Sequence, residues 1–370
     1  MEATTGWTVS RLGNIATLQR GFDLPGRLRV AGQVPIISSS GTTDWHNVAM
    51  VAGPGVVTGR YGTIGKVFYS EVDFWPLNTT LYVSNFHGND PRFIYYMLQR
   101  VDFASHSGKS GVPGVNRNDL HELSVAIPHR LEEQQAIAAA LADVDRLITV
   151  LRRSINKKQA VKQGMMQQLL TGKTRLPGFG APWRTATLGE AASILDNLRV
   201  PLSAEQRISR SGPYPYCGAN GVLDYIDDYM IDDDVVLLAE DGGNFEQFNS
   251  KPIAYRMQGK IWVNNHAHVL KAAPGGDTAY LFYALERKDI TPFISSGTRS
   301  KLTRGELVRI EIDLPSELAE QEAISNVLVT CDREIDALHQ RLSKARDLKH
   351  GMMQELLTGH TRLQSAESAA

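Results

Sequence analysis

Cysteine is almost missing: 370 residues hold two, Cys217 and Cys331. Two cysteines cannot build a disulfide framework or a thiolate zinc site, so the chain is expected in a reducing, cytoplasmic setting. No apolar run approaches the roughly 20 residues that cross a bilayer, and the opening MEATTGWTVS lacks the basic and apolar regions of a secretory leader. Membrane and secretory classes drop out at this stage. An excess of charge of either sign is also lacking, the formal net charge being −1. Nonspecific affinity for duplex DNA comes mainly from phosphate neutralisation, so any DNA binding must rest on local basic clusters or on a partner subunit. By segment the net charge is +2 for residues 1–130, +4 for 131–182, −5 for 183–317 and −2 for 318–370. What remains is an ordinary globular composition, 42% hydrophobic and 21% charged, on a chain long enough for two or three folding units.

Against that plain background one phrase recurs. GMMQQLLTG (164–172) returns as GMMQELLTG (351–359), and the surrounding stretches 131–176 and 318–363 align without a gap, 23 of 46 positions being identical. Both copies lack proline and carry apolar residues at alternating steps of three and four. The first reads Ile137, Leu141, Val144, Ile148, Leu151, Ile155, Met165, Leu169; the second reads Ile324, Leu328, Cys331, Ile335, Leu338, Leu342, Met352, Leu356. This is the seam of a coiled coil. Lys158 and Lys162 interrupt it in the first copy and Lys349 matches Lys162 in the second, where a seam lysine sets register or marks splaying helices. Gly172 and Gly359 suit the left-handed position that ends a helix. Neither helix, of about 35 to 40 residues, can bury its seam alone. An antiparallel pairing of the two would satisfy both and give pseudo-twofold symmetry; a simple dimerisation coil is the competing explanation.

The larger segments echo each other more faintly. Trp7 precedes Leu12-Gly13 as Trp183 precedes Leu188-Gly189, and VPIISSSGTTDW (34–45) parallels YPYCGANGVLDY (214–225). VVTGRYG (56–62) answers VVLLAEDGG (235–243), and PLNTTLYV (76–83) answers WVNNHAHVL (262–270). Each segment also has one amphipathic helix, FIYYMLQR (93–100) or YLFYALER (280–287), among short β-rich runs and turns. The expected order is an α/β domain over 1–130, a helix over 131–182, a second α/β domain over 183–317 and a second helix over 318–370.

The junctions IPHRLEEQQAI (127–137) and LPSELAEQEAI (314–324), with the ends QQLLTGKTRL and QELLTGHTRL, resemble the specificity subunit of Type I restriction-modification systems. They follow that family's P-x-P-P-L-x-E-Q-x-x-I pattern, except that His129-Arg130 and Ser316-Glu317 replace part of its proline run. The resemblance covers essentially the whole length and is duplicated. It implies two tandem target-recognition domains, each reading one half of a bipartite double-stranded DNA site, with the helix pair fixing the gap between halves. It further implies two methyltransferase subunits carrying S-adenosylmethionine, two restriction subunits using ATP and Mg, and no catalytic centre, cofactor or metal in this chain.

The residues agree with a non-catalytic part. An amino-methyltransferase needs Asp or Asn followed by Pro-Pro-aromatic, and no such tetrapeptide occurs. GRYGTIGKV (59–67) misses the phosphate-loop spacing by one residue and has Val67 where a magnesium-binding hydroxyl belongs, and GKT (172–174) has no upstream glycine. NNHAH (264–268) reads as a strand with ordinary hydrogen bonds, and DDYMIDDDVV (227–236) as an exposed acidic turn before a buried strand. Glu240-Asp241 near Lys251 lacks a nuclease pattern.

Groove reading calls on Arg, Lys, Asn and Gln, with small residues at phosphates. In the first domain the polar loops nominate Arg20, Arg27, Arg60, Lys66, Lys109 and Arg117 for DNA contact. In the second they nominate Arg199, Asn220, Asn244, Arg299, Lys301 and Arg304. The loop SGTRSKLTR (296–304) gathers three of these cations among small residues, yet its domain is acidic overall. Isolated binding is therefore expected to be weak. A coiled-coil scaffold or inactive paralogue without DNA-sequence reading is the alternative function, and an orphan or fused methyltransferase-nuclease lacks its motifs.

Overall fold

A computed structural model describes residues 6–106, 114–295 and 300–363. The chain forms two compact units, one from residues 1–152 with 340–370 and one from 153–339. Each unit is thus a globular segment plus half of each long helix. Both helices have 39 residues, Leu131–Leu169 and Leu318–Leu356.

In the first unit an antiparallel sheet runs in the order Thr17–Arg20, Thr80–Asn85, Gly55–Gly59, Val67–Ser70. Beside it lies a hairpin of Val34–Ser38 and Gly41–His46, extended by Trp75–Pro76. In the second unit the corresponding strands join into one six-stranded sheet that includes Ile231–Ala239, Ala267–Ala272 and the hairpin Ser211–Gly218/Gly221–Ile226. The two hairpins share a register, Pro35 facing Trp45 as Pro215 faces Tyr225, and Ser38 facing Gly41 as Gly218 faces Gly221. DDYMIDDDVV is not a turn throughout: the strand begins at Ile231, and Asp233 and Asp234 pair with Lys271 and Arg256 on neighbouring strands. One helix covers each sheet, Pro91–Leu98 or Thr278–Glu286, its first turn capped by Asp90 or Asp277.

The junction motif explains how helix and globular segment lock together. Gln134 accepts from the Asp90 amide at 2.9 Å and donates to the Pro128 carbonyl at 3.0 Å; Gln321 does the same with Asp277 and Pro315 at 3.0 and 2.9 Å. Its neighbouring glutamate grips the far end of the other long helix. Glu133 accepts two bonds from Arg362, at 2.9 and 2.6 Å, and Glu320 accepts two from Arg175, at 2.6 and 2.7 Å. The same carboxylates receive the indole N–H of Trp7 and Trp183. Such bidentate, partly buried pairs fix geometry as well as charge. Gly359 and Gly172 lie against these tryptophans with φ of +74° and +65°, and a Cβ on Gly359 would sit 2.8 Å from the Trp7 ring. Each unit is therefore closed by the helix end belonging to the other repeat.

Within each unit the helix halves run antiparallel. In the second, Lys162 meets Asp332 at 2.7 Å, while Lys158, one turn earlier, meets Glu334 at 2.5 Å. In the first, Lys349 meets Asp145 at 2.8 Å. The seam lysines are register pins: Asp332 also accepts from Tyr283 and Asp145 from Tyr96, with each lysine near the tyrosine ring, at 5.1 and 5.5 Å. Burial foremost, then the neighbouring aspartate, pushes both tyrosine hydroxyls far above their ordinary pKa. Ile137, Leu141, Ile148, Ile324, Leu328 and Leu356 of the predicted seam are buried, whereas Leu338 is partly exposed.

Candidate nucleic-acid interface

The stretches that matched in sequence build the same backbone frame once in each unit. In the first, the turn after Gly55–Gly59 is held by backbone alone: the Arg60 amide donates to the Thr79 carbonyl at 2.9 Å, and the Arg60 carbonyl accepts from Val115 at 3.0 Å. In the second, the Glu240 amide donates to the His266 carbonyl at 2.8 Å and its carbonyl accepts from Leu302 at 2.7 Å. Val115 and Leu302 are buried, so each anchors its loop in the core. One residue further, Tyr61 bridges Gly114 and Asp241 bridges Lys301. Arg117 and Arg304 then take the first position of a short helix, after the caps Asn116 and Thr303.

The first concavity, of about 610 Å³, is lined by Arg20, Arg60, Tyr61, Asn116 and Arg117 among others. Arg60 stacks on Tyr61, 4.6 Å from the ring centre, and donates to its hydroxyl at 3.4 Å. Arg20, at a strand end, pairs with Asp23 at 3.3 Å and is half exposed. The floor of the second unit is reversed in charge. Leu18 pairs with Val83 as Ile194 pairs with Leu270, which puts Asp196 in the place of Arg20 and Arg199 in that of Asp23. Arg199 is turned inward, bonding Asp196 at 3.3 Å, Glu240 at 2.5 Å and the Ala267 carbonyl at 3.1 Å. Lys301 adds a bond to Glu240 at 2.9 Å, and His268 spans from Asp196 at 2.7 Å to the Leu302 carbonyl at 2.9 Å. Burial works to raise the Glu240 and Asp196 carboxyls. The donors around them outweigh it, and both lie below their ordinary range. Asp196, Glu240 and His268 present ligand atoms within 4.8 Å of one another, but the Arg199 guanidinium bridges the two carboxylates that an ion would need.

Polar lining in the second unit belongs to a concavity of about 620 Å³ that includes Asp241, Asn220, Asn244, Asn264, His266 and Gln247. Asn220 donates to the Gly242 carbonyl at 2.9 Å and Asn244 to that of Pro252 at 3.1 Å; the Asn264 side chain accepts from the His266 amide at 2.9 Å.

Residues 4–160 and 181–345 match the Type I restriction modification DNA specificity domain, which places one such domain on each repeat. The chain belongs to that family. The Type I restriction enzyme MjaVIII specificity subunit of Methanocaldococcus jannaschii is 22% identical over 317 residues, 75% of this chain and 71% of the relative. A Haemophilus influenzae protein, named provisionally as a type I specificity subunit, is 33% identical over 150 residues; that match spans 40% of this chain and 37% of the relative. The crystal structure of the Type I restriction-modification S subunit from M. genitalium has the same fold, with a TM-score of 0.73 at 18% identity over 95% of this chain and 96% of that one.

In this specificity subunit the nominated residues separate into groups. Arg20, Arg60 and Arg117 meet in one concavity, and Asn220 and Asn244 in the other. Arg304 is exposed at the position equivalent to Arg117, and Lys301 lies beside it, engaged with Glu240. Arg27 is exposed on another loop, Lys66 is exposed at the other end of the Arg60 loop, just before the strand Val67–Ser70, and Lys109 and Arg299 lie outside the described residues. Arg199 supports the loop from within. Sequence reasoning missed Tyr61 as the platform for Arg60, and it took Asn264 and His266 for ordinary strand residues. The match of PLNTT to VNNHA was the available signal, since it places Asn264 and His266 where the first unit has Leu77 and Thr79. GRYGTIGKV joins strand to strand, so its glycines turn a hairpin and do not open a helix. Among the described residues no helix is long and apolar enough to cross a membrane.

Proposed function

We propose that this specificity subunit is a non-catalytic, cytoplasmic DNA reader whose two globular domains, residues 1–130 and 183–317, each read one half of a bipartite double-stranded site. The duplicated backbone frame carries the reading: it presents exposed arginine at Arg117 and Arg304, and each unit adds a concavity lined by polar side chains. The helix pair acts as the ruler for the gap and as the dock for two methyltransferase subunits, which bring S-adenosylmethionine. Two restriction subunits using ATP and Mg complete the assembly, and the chain itself uses no cofactor. A scaffold that reads no DNA would leave the gathering of Arg20, Arg60 and Arg117 in one concavity without a task. Mapping N6-methyladenine in cells that express the chain with its partner methyltransferase, against the partner alone, tests this. A new bipartite motif with fixed gap is expected, and no new methylation from a soluble complex would refute DNA reading.

A further inference from the structure

Each unit carries a polar concavity, and the two differ in chemistry and in place, sharing only the repeat position of Tyr61 and Asp241. In the first, the Arg60 guanidinium lies over the Tyr61 ring, and Arg20 and Arg117 line the same concavity. Arg60 spends one donor on Tyr61, leaving others in the planar fork, and the Arg20–Asp23 pair is exposed and loosely spaced at 3.3 Å. Two parallel N–H donors match the acceptor-only edge of guanine, O6 and N7. In the second, no arginine or lysine lines the concavity among the described residues, and Asp241 and Glu246 on its wall disfavour phosphate. Its readers are amides. Asn220 and Asn244 each spend one N–H on a backbone carbonyl, which fixes the side chain and leaves a carbonyl oxygen and a second N–H. That donor and acceptor, side by side, match adenine N7 and N6.

We infer, on the reading of DNA proposed above, that the first unit reads guanine through Arg60 and Arg20, and the second reads adenine through Asn220 and Asn244. The test is selection of random-sequence duplexes by the purified full chain, repeated with Arg60→Ala and with Asn220→Ala. Arg60→Ala relaxes a guanine preference of roughly 5- to 150-fold in one half-site and leaves the other half unchanged; Asn220→Ala relaxes an adenine preference in the other half. A second arm leaves the protein intact: 7-deazaguanine in the first half-site and 7-deazaadenine in the second each weaken binding by the wild-type chain. If Arg60→Ala instead lowers affinity for all sequences equally, and reduces the slope of log K against log salt by about 0.9, the arginine grips phosphate and the guanine assignment falls. Relaxation of the same half-site by both variants also overturns it. A wild-type chain that selects no sequence would overturn DNA reading itself, which separates the two failures.

Discussion

Arg20 and Asp23 in the first unit form an ion pair three residues apart at 3.3 Å; Asp196 and Arg199 form the same pair, at the same separation, with the charges exchanged. Glu240 likewise occupies in the second unit the position that Arg60 has in the first. The frame around them does not change, because it is held by main-chain bonds to Thr79 and Val115 or to His266 and Leu302. Backbone bonding makes no demand on side-chain sign, so the surface above is free to diverge. The interior compensates: once acids occupy the loop, Arg199 and Lys301 must neutralise them, and Arg199 is withdrawn from the surface to do so.

Removing one member of the second unit's cluster is the strongest way to break the comparison. Glu240→Ala leaves Arg199 without its shortest partner and is expected to cost about 3 kcal/mol in thermal unfolding, whereas Arg60→Ala at the equivalent place leaves the melting temperature within error. Next, Arg60→Glu gives the first unit the second unit's charge; duplex affinity should fall roughly 10- to 100-fold at low salt with folding intact, as fluorescence anisotropy would show. A smaller contrast lies at the helix ends. Gly359→Ala should destabilise by about 2 kcal/mol and Gly172→Ala by about 1, since both have positive φ but only the first drives a methyl into an indole. Calorimetry on the two variants gives the order directly. The smallest effect is on pH. Asp196 and Glu240 have folded pKa values below their ordinary 3.8 and 4.5, so their contribution is full above those values and fades as pH falls through the lower folded ones. Hydrogen exchange at pH 7 and at pH 3 should therefore show the second unit loosening, by about 1 kcal/mol.

Periodic features were legible before any coordinates. Seam positions, helix lengths and terminal glycines follow from spacing that tolerates few alternatives, and the hairpins from turn residues flanked by matching apolar pairs. Arg199 was not legible as a buried residue. Its carboxylate partner Glu240 stands 41 residues away, just past the end of the strand Ile231–Ala239, and a loop arginine looks the same in sequence whether it points in or out. Tyr61 was hidden for a related reason: it earns its place only beside Arg60 and Gly114, the latter a residue brought in from a distant loop. The charge balance of whole segments misled in part, because much of the acidity of residues 183–317 is spent internally on Arg199, Arg256 and Lys271.

The clasp of Glu133 on Arg362, mirrored by Glu320 on Arg175, matters most for inheritance. Everything that completes the first unit lies before residue 153 or after 339, so exchanging the codons for 183–317 with those of a relative replaces one globular segment without touching an interior contact of the other. Conversely, a frameshift in the last dozen codons damages the domain encoded first. A gene arranged this way can acquire a new recognition domain in one recombination event, while its two ends stay committed to each other.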